Sequence, residues 1–402
     1  MSFRFSRRLD WAAEPNAVSL AEQRLRGSIR FDLTESNPNR VNLPGAEEHR
    51  ASLARALARG EVADFVPTPG GSLESRQAIA NVYGERGVTV GAEQIVLTTS
   101  TSESYSYLFK LLCNPGDVVL VPQPSYPLFD YLARLEGLDT AVYDLEFVGS
   151  GGWRIDLESL ARVLTKEGAR VGAVVLVTPN NPTGSVLRRE EFKVIDRLCA
   201  DRGVAIIADE VFADYVFEPR ADHVASVAGT DPGTLTFSLG GLSKSCGLPQ
   251  LKLGWIAIAG PAEPVAQART RLDLIVDTYL PLAAPVEVAL GDLLEIGRRR
   301  RLEITRRIAE NQDFLRACLG IDSAITSLAN EGGWQAIVRL PSVQDDEAWT
   351  LELLERDHVM VHPGYFFDLR QGTFLVVSLL PAHNTFRGGV ERLVERVRQK
   401  LA

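Results

Sequence analysis

The chain has 402 residues, 45% of them hydrophobic and 24% charged, which is ordinary globular composition and excludes a disordered chain. That length exceeds what one small core organises, so two packed domains are expected. The net charge of −9 disfavours a nucleic-acid binder, and no apolar run approaches the ~18 residues of a membrane span.

Residues 1–45 read as an irregular arm, with Asp32–Asn39 a short strand running into an Asn/Pro turn. Helices are expected over 46–59 and 73–86, with a Pro/Gly loop between them. From Gln94 strands and helices alternate. The strands are placed at 94–98, 117–121, 140–145, 172–178, 204–208, 235–238 and 253–258, and the helices between at 102–112, 127–135, 156–164 and 189–202. Short Val/Ile/Leu runs separated by helices predict an α/β fold with a mostly parallel, seven-stranded sheet covered on both faces. After Pro261 the chain turns helical: 262–276, 286–296 and a long helix over 298–319. Residues 320–402 mix strands (334–340, 359–361, 374–379) with helices (346–357, 386–401), as expected of a smaller α+β domain. The expected division is an arm at 1–45, a large domain at 46–297 and a small domain at 298–402. The basic run Arg298–Arg301 reads as a solvated helix face. Cys113, Cys199, Cys246 and Cys318 match no metal spacing and fit reduced thiols in a cytoplasmic protein. Met1–Asp10 has no apolar core of a secretion signal.

In an open α/β sheet ligands bind beyond the carboxyl ends of the strands, so the residues after each strand matter most. Thr99-Ser100-Thr101-Ser102 opens a helix with hydroxyls and free N–H groups, which suits a phosphate or simply an N-cap. Tyr126, between Ser125 and Pro127, suits a ring held flat on another ring, or a core position. Asn181, in Pro179-Asn180-Asn181-Pro182-Thr183-Gly184, offers an amide donor to a phenolate-type oxygen or a carboxylate. Asp209 closes an apolar strand, where a carboxylate is costly without a cation such as a protonated pyridine nitrogen. Lys244, after Gly240-Gly241-Leu242-Ser243, places an amine on a rigid edge suited to Schiff-base chemistry, and Lys252 adds a cation nearby.

These motifs, with Gly254-Trp255, resemble the class I/II aminotransferases, the fold-type I pyridoxal-phosphate enzymes, from about Asp32 to the C-terminus. The resemblance implies pyridoxal 5′-phosphate as cofactor, held through Lys244, which would also move the substrate proton. It implies Asp209 on the pyridine nitrogen, Asn181 on the 3′ oxygen and Tyr126 on the ring. Ser100, Thr101, Ser102, Ser243 and Lys252 would hold the phosphate. It further implies a homodimer with shared active sites, acting on an amino acid or related amine and a 2-oxo acid.

Four departures from that pattern stand out. Lys252, Phe212 and Phe65 occupy places where the family often has Arg, Tyr and Tyr. Val376 stands where an arginine usually clamps the substrate carboxylate, leaving Arg40, Arg370 and Arg387 as candidates, with Ser36 on the pocket floor. The alternatives are therefore another enzyme of the same scaffold (a C–S lyase, decarboxylase or oxidase) and a ligand-sensing module. The second is expected to carry a DNA-binding domain ahead of the fold, and the roughly 45 residues before it read as not helical enough for a winged helix.

Overall fold

A computed structural model describes residues 3–43, 46–63, 66–320 and 324–402. Phe65 lies outside the described residues. The large sheet has eight strands: β1 (Ile95–Thr98), β2 (Val118–Gln123), β3 (Asp139–Phe147), β4 (Trp153–Ile155), β5 (Val171–Val177), β6 (Ala205–Asp209), β7 (Thr236–Gly241) and β8 (Gly254–Ala259). Their order across the sheet is β1-β8-β7-β6-β5-β2-β3-β4. Only β8 and β4 pair antiparallel with their neighbours, so the sheet is mostly parallel as expected. The eighth strand, β4, corrects the expected count of seven. It is three residues long, follows the glycine-rich turn 149–152 and has one fully buried residue, so it carried little apolar signal.

Alternate residues of each central strand enter different cores, because successive side chains point to opposite faces. Val118, Leu120, Val174, Leu176 and Ile206 pack with Leu160, Leu164, Phe192 and Ile195 of helices Leu157–Glu167 and Arg189–Ala200. Val119, Val121, Val175 and Ile207 pack with Tyr105, Leu108, Ala268 and Leu272 of helices Thr101–Leu112 and Ala262–Tyr279. Burial on both sides is why these strands read as continuous apolar runs.

A second, antiparallel sheet takes Thr326–Ser327, Gln335–Leu340, Thr373–Ser378 and His362–Pro363. Phe31–Asp32 pairs parallel with Val359–Met360, tying the N-terminal segment to the C-terminal part. Leu33, Ile304, Trp334, Trp349 and Phe386 share the core there.

The sequence reading is corrected at three further places. A helix, Ala17–Leu25, lies in the arm expected to be irregular, capped by Asn16. The two helices expected at 286–296 and 298–319 are a short helix, Ala284–Val288, and one continuous helix, Leu290–Leu319. Gly297 does not break that helix; a Cβ there would stand 2.2 Å from Cys246 Sγ, so the glycine serves close packing. Arg298–Arg301 is not wholly solvated either. Arg300 is buried and donates to the Gly247 carbonyl at 3.0 Å, while Arg301 reaches Asp214 at 3.3 Å. The long helix is thereby fixed to the segment just after Lys244.

Candidate active site

Strand β6 is buried over Ala205–Ala208 and ends on the half-buried Asp209. Asp209 Oδ1 accepts the Val211 N–H at 3.2 Å, and Oδ2 accepts the Tyr105 hydroxyl at 3.1 Å. Burial pushes this carboxyl up to about 6; the two hydrogen bonds and the charge of Lys244 pull the other way. A carboxylate placed here is incompletely paired and attracts a cationic ligand atom. Glu210, the next residue, is instead satisfied inside the fold: Ser238 Oγ donates to it at 2.6 Å and Val227 N–H at 2.7 Å. Adjacent acids thus have unlike environments because the chain turns them to opposite sides.

Lys244 sits in the single turn Leu242–Ser245 that follows β7. Burial lowers its amine to about 8, against the opposing pull of Asp209. At neutral pH this raises the neutral, nucleophilic fraction by roughly two orders of magnitude over an ordinary lysine. Nζ lies 4.8 Å from the Trp334 ring centre and 5.5 Å from that of Phe212. Tyr215 packs edge-on to both rings and its hydroxyl donates to the Lys244 carbonyl at 2.7 Å.

Beyond β5, the neighbouring asparagines differ in role. Asn180 is structural: it donates to Ser125 Oγ at 3.1 Å and accepts the Thr183 hydroxyl at 2.9 Å. Asn181 Oδ1 is buried without a hydrogen-bond partner among the described residues. Such an orphaned acceptor costs about 1–3 kcal/mol, and only a ligand group that donates to Oδ1 removes the cost.

Beyond β1, Ser100 caps the helix Thr101–Leu112, its Oγ accepting the Glu103 N–H at 3.1 Å. The N–H groups of Thr101 and Ser102 have no acceptor among the described residues, leaving them for an anion. Gly254 lets β8 approach this turn: a Cβ there would lie 3.0 Å from Ser100 C and 3.1 Å from Thr101 N. Ser243 is half-buried, and Lys252 is exposed with a left-handed φ of 52° and no ion pair among the described residues. Tyr126 is 44% exposed, and its hydroxyl is raised by burial and by the charge of Asp209.

The candidate substrate contacts are more scattered. Ser36 Oγ donates to Ser378 Oγ at 3.2 Å, on the second sheet. Val376 is fully buried, pairs with Ile337 and His362, and packs in an apolar cluster with Phe367 and Phe374. Arg387 lies over the Phe314 ring at 5.1 Å, between the two long C-terminal helices, and is not among the groups gathered at Lys244. Arg40 is 72% exposed and paired with Glu35 at 3.0 Å; Arg370 is exposed. Lys244 and Asp209 feel one another's charge, and no arginine perturbs either.

Tyr105 and Trp334 contribute to the site without having been singled out in the sequence, and Phe212 was noted there only for a missing hydroxyl. Buried aromatics on helices and strands look like core. The one available signal for Trp334 was the Gly332-Gly333 pair before it.

Comparisons with known proteins bear on the family and the fold. The chain is 28% identical to tyrosine aminotransferase of Bos taurus over 268 residues, which is 63% of this chain and 58% of that protein. It is 28% identical to alanine aminotransferase of Mycobacterium tuberculosis over 315 residues, 75% of this chain and 70% of that protein. The matched stretch thus spans under two thirds of the bovine relative's length. Among solved structures, an alanine aminotransferase from Pyrococcus furiosus superposes with a TM-score of 0.86 at 20% identity, covering 98% of this chain and all of that one. An aspartate aminotransferase from Thermotoga maritima gives 0.81 at 23%, with 98% and 100% covered. At such identities these two show the fold. Residues 33–397 match the family described as Aminotransferase class I and II, and the chain belongs to that family.

Proposed function

We propose that the protein is a pyridoxal 5′-phosphate-dependent aminotransferase that moves an amino group between an amino acid, or a related amine, and a 2-oxo acid. The observation that carries this reading is the pairing of a desolvated amine, Lys244, with a desolvated carboxylate, Asp209, at adjacent strand ends. The residues present fit the cofactor: an acid awaiting a cation, an Asn181 side chain whose N–H groups have no acceptor among the described residues, and a helix N-terminus with free N–H groups facing Gly254. Pyridoxal phosphate, when bound, supplies a carbonyl that condenses with amines and a ring that accepts the electron pair left when a Cα–H bond breaks.

Lys244 Nζ would bond the cofactor through its neutral form and, once displaced by the substrate amine, carry the proton from one carbon to the other. Asp209 would keep a proton on the ring nitrogen, with Tyr105 and Val211 holding its carboxylate in place. Asn181 would donate to the ring oxygen, and Tyr126 would cover the ring. Ser100, Thr101, Ser102, Ser243 and Lys252 would hold the phosphate. A homodimer, a cytoplasmic location and the division 1–45, 46–297 and 298–402 belong to the same reading; among the described residues no helix is long and apolar enough to cross a membrane.

The buried, apolar setting of Val376 supports a second reading, a lyase, decarboxylase or oxidase on this scaffold whose substrate is not clamped by an arginine from this strand. Mixing cofactor-loaded protein with a panel of amines and amino acids, and following visible absorption, decides between them. Transamination predicts conversion to the pyridoxamine form, reversed by a 2-oxo acid. Release of ammonia, sulfide or carbon dioxide without that form sinks it.

A further inference from the structure

Residues 330–334 form a strap between the two segments that carry the site. Its backbone is held on both sides: Glu331 N–H donates to the Gly184 carbonyl at 3.1 Å, Phe217 N–H to the Glu331 carbonyl at 2.9 Å, and Gly333 N–H to the Tyr215 carbonyl at 3.0 Å. The strap leaves no room for a side chain at Gly184 or Gly332. A Cβ on Gly184, whose φ is +68°, would stand 2.5 Å from the Gly332 carbonyl oxygen, and one on Gly332 would stand 2.7 Å from that of Tyr215. One neighbour is the loop that carries Asn181; the other is the segment that follows Asp209. The strap ends on Trp334, the ring lying 4.8 Å from Lys244 Nζ.

One carboxylate adds a side-chain anchor to these backbone bonds. Glu331 Oε2 accepts from Arg154 Nη1 at 3.2 Å and from the Val186 N–H at 3.4 Å. Oε1 accepts from Arg188 and lies 3.9 Å from both Arg220 Nη1 and His223 Nε2. Arg188 is almost fully buried, with a side-chain exposure of 8% against 15% for Glu331. Ion pairs at such depth are costly to break, because the partner left behind is a buried, uncompensated charge. All these basic side chains lie at or before residue 223, whereas the strap leads into the second sheet.

We propose that Glu331 is a positioning residue for the Lys244 site: its carboxylate locks the strap against the arginines and so sets both the Asn181 loop and the Trp334 ring. The proposal rests on the aminotransferase reading above, since it concerns how that site is held. Loss of the charge frees the strap, and Asn181 and Trp334 shift together relative to the cofactor.

Glu331→Gln keeps the shape and removes the charge. In cofactor-loaded protein two readouts follow: the dissociation constant for pyridoxal phosphate, and the pH midpoint of the bound cofactor's visible band. A small displacement of positioning groups costs one to two orders of magnitude in such sites, so the dissociation constant should rise about tenfold or more and the midpoint should move. Arg396→Met is the control: it breaks the Arg396–Asp357 pair (2.7 and 2.9 Å), which touches neither the strap nor Lys244. It should lower the melting temperature and leave midpoint and affinity unchanged. Should Glu331→Gln fail to fold, Arg154→Met decides, with the same changes at smaller size. Unchanged affinity and midpoint in the folded variant overturn the role of Glu331 alone. Wild-type protein that develops no cofactor band overturns the aminotransferase reading with it.

Discussion

Replacing Lys244 by Met should abolish turnover and at the same time stabilise the cofactor-free protein at neutral pH. The amine is lowered from 10.5 to about 8 by burial, with Asp209 opposing. At roughly 1.4 kcal/mol per unit, the folded state pays about 3 kcal/mol to keep this lysine charged below pH 8. Methionine fills a similar volume, carries no charge and keeps the apolar contact with Phe212 and Trp334. The opposing pull of Asp209 is already contained in that figure, so a gain of about 3 kcal/mol is expected. The pH dependence has a definite sign. Between 8 and 10.5 the unfolded lysine binds a proton that the folded one has released, so wild-type stability rises with pH through this window. The advantage of Lys244→Met is therefore full at pH 7 and gone above about 10.5. Denaturant unfolding of both proteins, without cofactor, at pH 7 and near pH 10.5 measures it. A variant no more stable than wild type at pH 7 would refute a desolvated amine. An advantage unchanged at high pH would assign the gain to packing.

Three other substitutions probe the remaining groups. Tyr105→Phe removes the 3.1 Å donor to Asp209; a hydrogen bond to a charged group is worth ~1.5–3 kcal/mol, so the Asp209 carboxyl should move further above about 6, as read by carboxyl infrared titration, and cofactor affinity should fall about tenfold. Gly254→Ala places a methyl 3.0 Å from Ser100 C, and should weaken binding of the phosphorylated cofactor while leaving that of unphosphorylated pyridoxal unchanged, in paired fluorescence titrations. Asn181→Ala removes a buried polar group that has no partner for its oxygen, so the cofactor-free protein should lose no more than about 1 kcal/mol while the visible band of the loaded protein shifts; thermal unfolding and absorbance check the two parts.

The large sheet was legible because both its faces are covered. Runs such as Val171–Val177 and Ala205–Asp209 are apolar at nearly every position, and such runs bounded by turn residues identify strands without an alignment. Trp153–Ile155 is too short to announce itself, and pairs with β3 through a glycine turn. Gly297 misled for a physical reason: a glycine inside a helical pattern signals either an end or a close approach, and only the neighbouring Cys246 distinguishes them. The strand ends carrying Asp209, Asn181 and Lys244 could be marked as candidates from the order of strands and turns, since chain topology brings strand ends together, while the roles proposed for them come from the family resemblance. Trp334, Tyr105 and Glu331 could not. Their contacts cross large sequence separations, and a buried aromatic or a single glutamate has many commoner uses.

The central claim is that Lys244 is the residue that bonds the cofactor. Borohydride reduction of the pyridoxal-phosphate-loaded protein, followed by proteolysis and mass mapping, tests it directly. A stable cofactor label on Lys244, absent from Lys244→Met, is expected. A label carried instead by Lys252 or by any other lysine, or no label in protein that shows the cofactor band, would contradict it.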